Sequence, residues 1–79
     1  MEYDEGKVDE MVLALLHLTS FSEQGFARAW KVYDWGALNR LHESGLISDP
    51  KNKNKSIGLS KEGAQRSEEL FWKFFSKQS

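Results

Sequence analysis

The sequence predicts a small α+β domain of three helices and one β-hairpin, and three local signals carry that prediction. Polar caps stand at Asp4, Asp34 and Ser60, each ahead of a run with helical apolar spacing, so each opens a helix. Gly45 follows the second run and is placed to stop it. Two short stretches, Leu46-Ile47-Ser48 and Lys55 to Leu59, flank a polar turn that contains Pro50, the pattern of a hairpin. The expected elements are helices over about 4–19, 34–44 and 60–76, strands over about 46–48 and 55–59, and a short strand near 28–32. With 79 residues there is room for one core, hence a single domain over 1–79.

The first helix has Asp4 as its cap and Glu5, Asp9 and Glu10 near its positive end, which suits the helix dipole. At 100° per residue, Val8, Met11, Val12, Leu15, Leu16 and Leu18 share one arc, and this arc should face the core. Leu13 falls outside it. An apolar residue on the far side of so small a domain points to a second covering surface, such as another subunit.

Thr19 to Gly25, T-S-F-S-E-Q-G, has the composition of a loop. From Phe26 to Val32 the even positions read Phe26, Arg28, Trp30 and Val32, a partial period of two that favours a short strand. Asp34 then caps the second helix, with Leu38 and Leu41 on its inner face and Gly36, Asn39, Arg40 and Glu43 directed outward. Gly after a helix adopts the left-handed conformation without a Cβ clash, and Leu46 supplies the apolar contact that accompanies such a stop.

Asp49-Pro50 breaks the first hairpin strand, because proline has no N–H to donate to a ladder. The turn that follows carries Lys51, Lys53 and Lys55 on alternate positions. In the returning strand Ile57 and Leu59 face the core while Ser56 and Gly58 face away. The last helix starts at Ser60, and Ala64, Phe71, Phe74 and Phe75 line one side of it, widened by Leu70 and Trp72. Four of the ten aromatic residues lie between Phe71 and Phe75, an excess that one neighbouring helix cannot cover and that suits a dimer interface. A helix followed by a hairpin wing gives the domain a winged-helix-like order, in a reduced version: only the segment Ser20 to Tyr33 occupies the place where a winged helix carries its second helix.

Composition limits what the chain does. It has no cysteine, which removes disulfides, thiol nucleophiles and thiolate metal sites and fits a reducing compartment. The opening M-E-Y-D-E is acidic where a secretion signal is basic, and the apolar run Met11 to Leu16 is far short of the roughly 20 residues of a membrane span, so a cytoplasmic protein without membrane contact is expected. Net charge is −1, but residues 26–61 hold seven basic side chains against three acidic ones, while residues 1–25 hold one against six. Such an asymmetry steers a polyanion to one face, or pairs the two segments with each other.

No catalytic constellation is present. His17 and His42 stand on different helices with no second ligand at metal spacing, the six glycines are scattered rather than gathered in a phosphate loop, and Ser60 and Ser67 have no base beside them. The expectation is a domain that is not an enzyme, with no metal, no cofactor and no small-molecule substrate. Two binding readings stand side by side. In the first, a DNA-binding regulator, Asn39 and Arg40 reach base edges while Lys31, Lys51, Lys53 and Lys55 contact phosphates. In the second, a protein-interaction or homodimerisation module, the interface is built from Leu13, Leu70, Trp72 and Phe74.

The run R-A-W-K-x-x-D-W-x-x-L-x-R-L-H-E-x-G-L-I-S-D-P-K from Arg28, together with the opening M-x-Y-D-x-x-K-V-D-x-M-V-L-A-L-L-H-L-T, resembles a family of short bacterial proteins carried as a domain of unknown function. The resemblance covers nearly the whole chain and implies no activity or site. A more distant likeness is to winged-helix transcription regulators, whose L-x-x-L-x-x-x-G-L-I and L-T-x-x-G are echoed by Leu38 to Ile47 and Leu59 to Gly63. That likeness implies DNA as a partner. Ser60-Lys61 replaces the usual threonine and acid of the second motif.

Overall fold

The computed structural model describes residues 2–31 and 33–77, so the expected strand position Val32 lies outside the described residues. The order is α1 (Glu5–Leu18), β1 (Ser20–Glu23), β2 (Phe26–Trp30), α2 (Trp35–Glu43), β3 (Ser56–Gly58) and α3 (Lys61–Phe75). The strands form one antiparallel sheet in the order β1-β2-β3. This is the α+β architecture expected, compatible with a winged-helix-like shape.

All three caps act as anticipated. Asp4 accepts a hydrogen bond from the Lys7 N–H at 3.1 Å, Asp34 from Ala37 at 3.0 Å and Ser60 from Gly63 at 2.9 Å. Gly45 stops α2 with φ +78°, its N–H on the His42 carbonyl and that of Leu46 on the Leu41 carbonyl, which tucks Leu46 into the core.

The segment read as a loop after α1 is instead half of a hairpin. Gln24 and Gly25 both have positive φ, 52° and 83°, the two-residue turn whose twist matches antiparallel strands. The register sets Glu23 opposite Phe26 and Phe21 opposite Arg28. Ser20 and Ser22 therefore share the inner face with Ala27 and Ala29, while Phe21, Phe26, Arg28 and Trp30 face outward. Beyond β3, the expected hairpin over 46–48 and 55–59 is reduced to one bridge between Ile47 and Leu59 and a bond from the Ser48 N–H to the Gly58 carbonyl at 2.8 Å. The main ladder of β3 runs to β2 on its other edge.

The core gathers Val12, Leu13 and Leu16 of α1, Ala29 and Ile57 of the sheet, Ala37, Leu38 and Leu41 of α2, and Leu46 and Ile47. This corrects the expected face of α1. Leu13 is 2% exposed, whereas Met11 and Leu18 are 40% and 64% exposed. The buried stripe is rotated by roughly a quarter turn, because α1 packs on α3 as well as on α2 and β2. The facing stripe of α3 is also displaced: Gly63 and Ser67 are buried and Leu70 packs at the core edge. The Ser67 hydroxyl donates to the Leu13 carbonyl at 2.6 Å, fixing the two helices at close range. Trp72, Phe74 and Phe75 lie beyond that contact and remain exposed.

Candidate binding surfaces

On α2, Asn39 is half-buried and Arg40 turns away from the outward face assigned to it. Its guanidinium donates from Nε to both oxygens of Asp9, at 2.9 and 2.8 Å, from Nη2 to Asp9 at 2.7 Å and from Nη1 to Glu5 at 2.9 Å. The hydrogen bonds that Arg40 donates to Asp9, reinforced by the charges of Asp9 and Glu5, raise the already high arginine pKa, so the cation is permanent. Arg40 therefore ties α2 to the first turns of α1. Of the acidic–basic asymmetry, this much is internal pairing.

Lys31 is also engaged. Its ammonium donates to the carbonyls of Pro50 and Asn52, both at 2.9 Å, and to Asn52 Oδ1 at 3.0 Å, and it stands 5.9 Å from the centre of the Trp35 ring. These bonds organise the lysine loop from inside. Asp49 accepts from the Lys51 N–H at 2.8 Å and Asn52 from Asn54 at 2.9 Å, turns that asparagine and aspartate side chains form readily. Pro50 is buried beneath, and Lys51, Lys53 and Lys55 are left exposed.

A shallow groove of about 400 Å³ crosses the outer face of the sheet, floored by Phe26, Arg28 and Trp30, with Glu23 at one side and Asn54 and Lys55 at the other. Phe21 packs on Trp30 with ring centres 5.2 Å apart. Arg28 is held by Ser56, Nε to the hydroxyl at 3.0 Å and Nη2 to the carbonyl at 3.1 Å, with Glu23 3.9 Å away. The sequence shows the alternation that builds this face, but its position opposite the core follows only from the pairing with β1 and β3.

The fourth surface joins α1 and α3. His17 contacts Phe71 with ring centres 5.1 Å apart, Phe71 contacts Trp72 and Phe75 at 5.2 and 5.5 Å, and Phe74 lies 6.4 Å from Phe75. Met11 and Phe74, with Lys7, Glu10 and Lys73, line a recess beside them. Of the residues expected at a dimer interface, Trp72 and Phe74 are exposed here, Leu70 is half-buried against the core, and Leu13 is core. Leu13 leaves that set because α3 covers it.

His42 sets Nδ1 3.2 Å from the Ile47 carbonyl, and among the described residues no three His, Asp or Glu side chains converge as metal ligands. No helix among them is long and apolar enough to cross a membrane.

Comparison with known proteins adds the family. The description Domain of unknown function (DUF6429) matches residues 4–77. The chain belongs to this family. A member from Sinorhizobium fredii, an uncharacterised protein called y4hR, is 54% identical over 77 residues, which are 98% of this chain and all of that protein. The family resemblance read from the sequence is thereby borne out. No solved structure matches the chain.

Proposed function

We propose that this family member is a non-enzymatic cytoplasmic interaction domain that pairs with a second copy of itself through the aromatic end of α3 and the adjoining side of α1. One observation carries this reading: Met11, Trp72, Phe74 and Phe75 are 40, 54, 39 and 41% exposed in a connected patch. The exposed apolar area is on the order of 400 Å², within the range of the largest patches on monomers, and large enough to be the dry centre of an interface of about 800 Å² per partner. Lys7, Glu10 and Lys73 at its edge carry both signs, so a two-fold axis can set lysine of one copy against glutamate of the other.

Duplex DNA reading by α2 draws less support, because Arg40 is committed to Asp9 and Glu5 and Lys31 to the loop carbonyls. Sedimentation equilibrium tests the pairing. A dimer that Trp72→Ala and Phe74→Ala weaken supports it, and a chain that stays monomeric to millimolar concentration ends it.

A further inference from the structure

We propose that the outer face of the sheet is a binding platform for single-stranded nucleic acid, with unpaired bases on Phe26 and Trp30 and the backbone along the lysine loop. The site is independent of the α1–α3 patch. Single-strand binders combine two elements: aromatic faces on which bases stack, and cations that follow the phosphates. Both occur together here.

Phe26 and Trp30 are 71% and 47% exposed, although side chains this large normally go inside, and each stands on β2 pointing out of the sheet. They are two pleats apart on the same face, a span of about 13 Å, which is room for two or three nucleotides. Phe21 backs Trp30, so that ring is held in position before a ligand arrives. Between the rings lies Arg28, fixed through Ser56 rather than used in a strong ion pair. Gly58 next to it carries no side chain, and a Cβ there would stand 3.5 Å from Nη1. The guanidinium thus supplies a fixed cationic surface in the floor of the groove.

Lys55 lines the groove, and Lys53 and Lys51 continue away from it along a loop that the Lys31 ammonium holds in shape. All three side chains are exposed. The positive charge is therefore placed to one side of the rings, where a strand whose bases lie on the sheet carries its phosphates. Duplex DNA fits poorly, since its bases are stacked on one another and unavailable to Phe26 and Trp30. Glu23 is the one acid in the groove. It opposes phosphate but accepts hydrogen bonds from an exocyclic amino group, which favours cytosine over uracil or thymine beside it.

The test is fluorescence anisotropy of labelled 12-nucleotide DNA and RNA oligomers, single-stranded and duplex, titrated with the intact chain at about 50 and 200 mM salt. Both single strands bind and the duplex binds more weakly; Trp30→Ala or Phe26→Ala weakens binding about 5- to 100-fold. Replacing Lys51, Lys53 and Lys55 together by Ala lowers the slope of log affinity against log salt by about 2. Trp72→Ala leaves the affinity unchanged, which separates this site from the dimer patch. Absence of single-strand binding at 50 mM salt, equal binding of duplex, equal competition by an oligo-glutamate peptide, or indifference to Trp30→Ala and Phe26→Ala in chains that melt like the parent overturns the proposal.

Discussion

Replacing Gly63 by alanine sets two effects of opposite sign against each other. In a helix interior alanine is favoured over glycine by about 0.8–1.0 kcal/mol, so propensity alone predicts a more stable protein. Position 63 is the third residue of α3, pressed onto the Leu46 backbone. A Cβ there would overlap the Leu46 carbonyl oxygen and lie 2.8 Å from its carbon and 3.1 Å from its Cα. Backbone atoms cannot swing aside, so the helix start and the 45–47 segment must separate by about an ångström, an overpacking that costs about 1–3 kcal/mol. The same carbonyl accepts from the Ser60 N–H at 3.0 Å and the Ser60 hydroxyl at 3.2 Å, and these bonds weaken together at about 1 kcal/mol each. The net effect expected for Gly63→Ala is a loss of about 2–4 kcal/mol, a large part of the stability of a domain this size, or a fall in Tm of roughly 10–20 °C. Urea unfolding followed by circular dichroism measures it as a lower midpoint at unchanged slope. A midpoint equal to or above the parent's would show that the Leu46–Gly63 contact does not limit the fold.

Other substitutions probe single contacts. Ser67→Ala removes the buried bond to the Leu13 carbonyl and should cost about 1 kcal/mol in the same urea assay, while Ser67→Leu should cost more by pushing α3 off α1. Asp34→Ala should cost about 1 kcal/mol through the lost cap of α2, with Asp34→Asn near neutral. Arg40→Met should lower Tm and leave duplex DNA affinity unchanged; since the folded-state pKa of Arg40 is raised, its contribution is complete below the ordinary arginine range and disappears only above it, so the Tm deficit should be flat from about pH 7 to pH 10. Lys31→Met should speed amide hydrogen exchange across 51–55 more than across β2, because the loop loses the ammonium that joins its carbonyls.

Local chemistry was legible in the sequence, and contacts distant along the chain were not. Caps at Asp4, Asp34 and Ser60 and the stop at Gly45 each depend on neighbours within a few residues, and each is found where expected. Strand β1 has no apolar alternation to reveal it, since its inner positions are Ser20 and Ser22; pairing with β2 across Gln24-Gly25 makes it a strand. Periodicity misplaces the buried face of α1 because it ranks apolar arcs without reference to α3, which packs beside Leu13. On α3 the contact runs through Gly63 and Ser67, small residues that add nothing to an apolar pattern. Arg40 and Lys31 look like free cations in a linear reading, and their partners Asp9 and Asn52 lie 31 and 21 residues away.

The bond between Ser67 and Leu13 joins residues 54 apart, and it has a consequence for how the chain emerges during synthesis. The hairpin and the Asp9–Arg40 clamp assemble from residues already released, at a modest loop-closure cost. Leu13 finds its cover only when α3 arrives, after the other described elements have been released. Until then the nascent domain holds an uncovered apolar stripe on its first helix, the kind of surface that chaperones hold and that aggregates when crowded. Completion of the fold in this sense waits for α3, and slow or interrupted synthesis of Lys61 to Phe75 exposes the chain most.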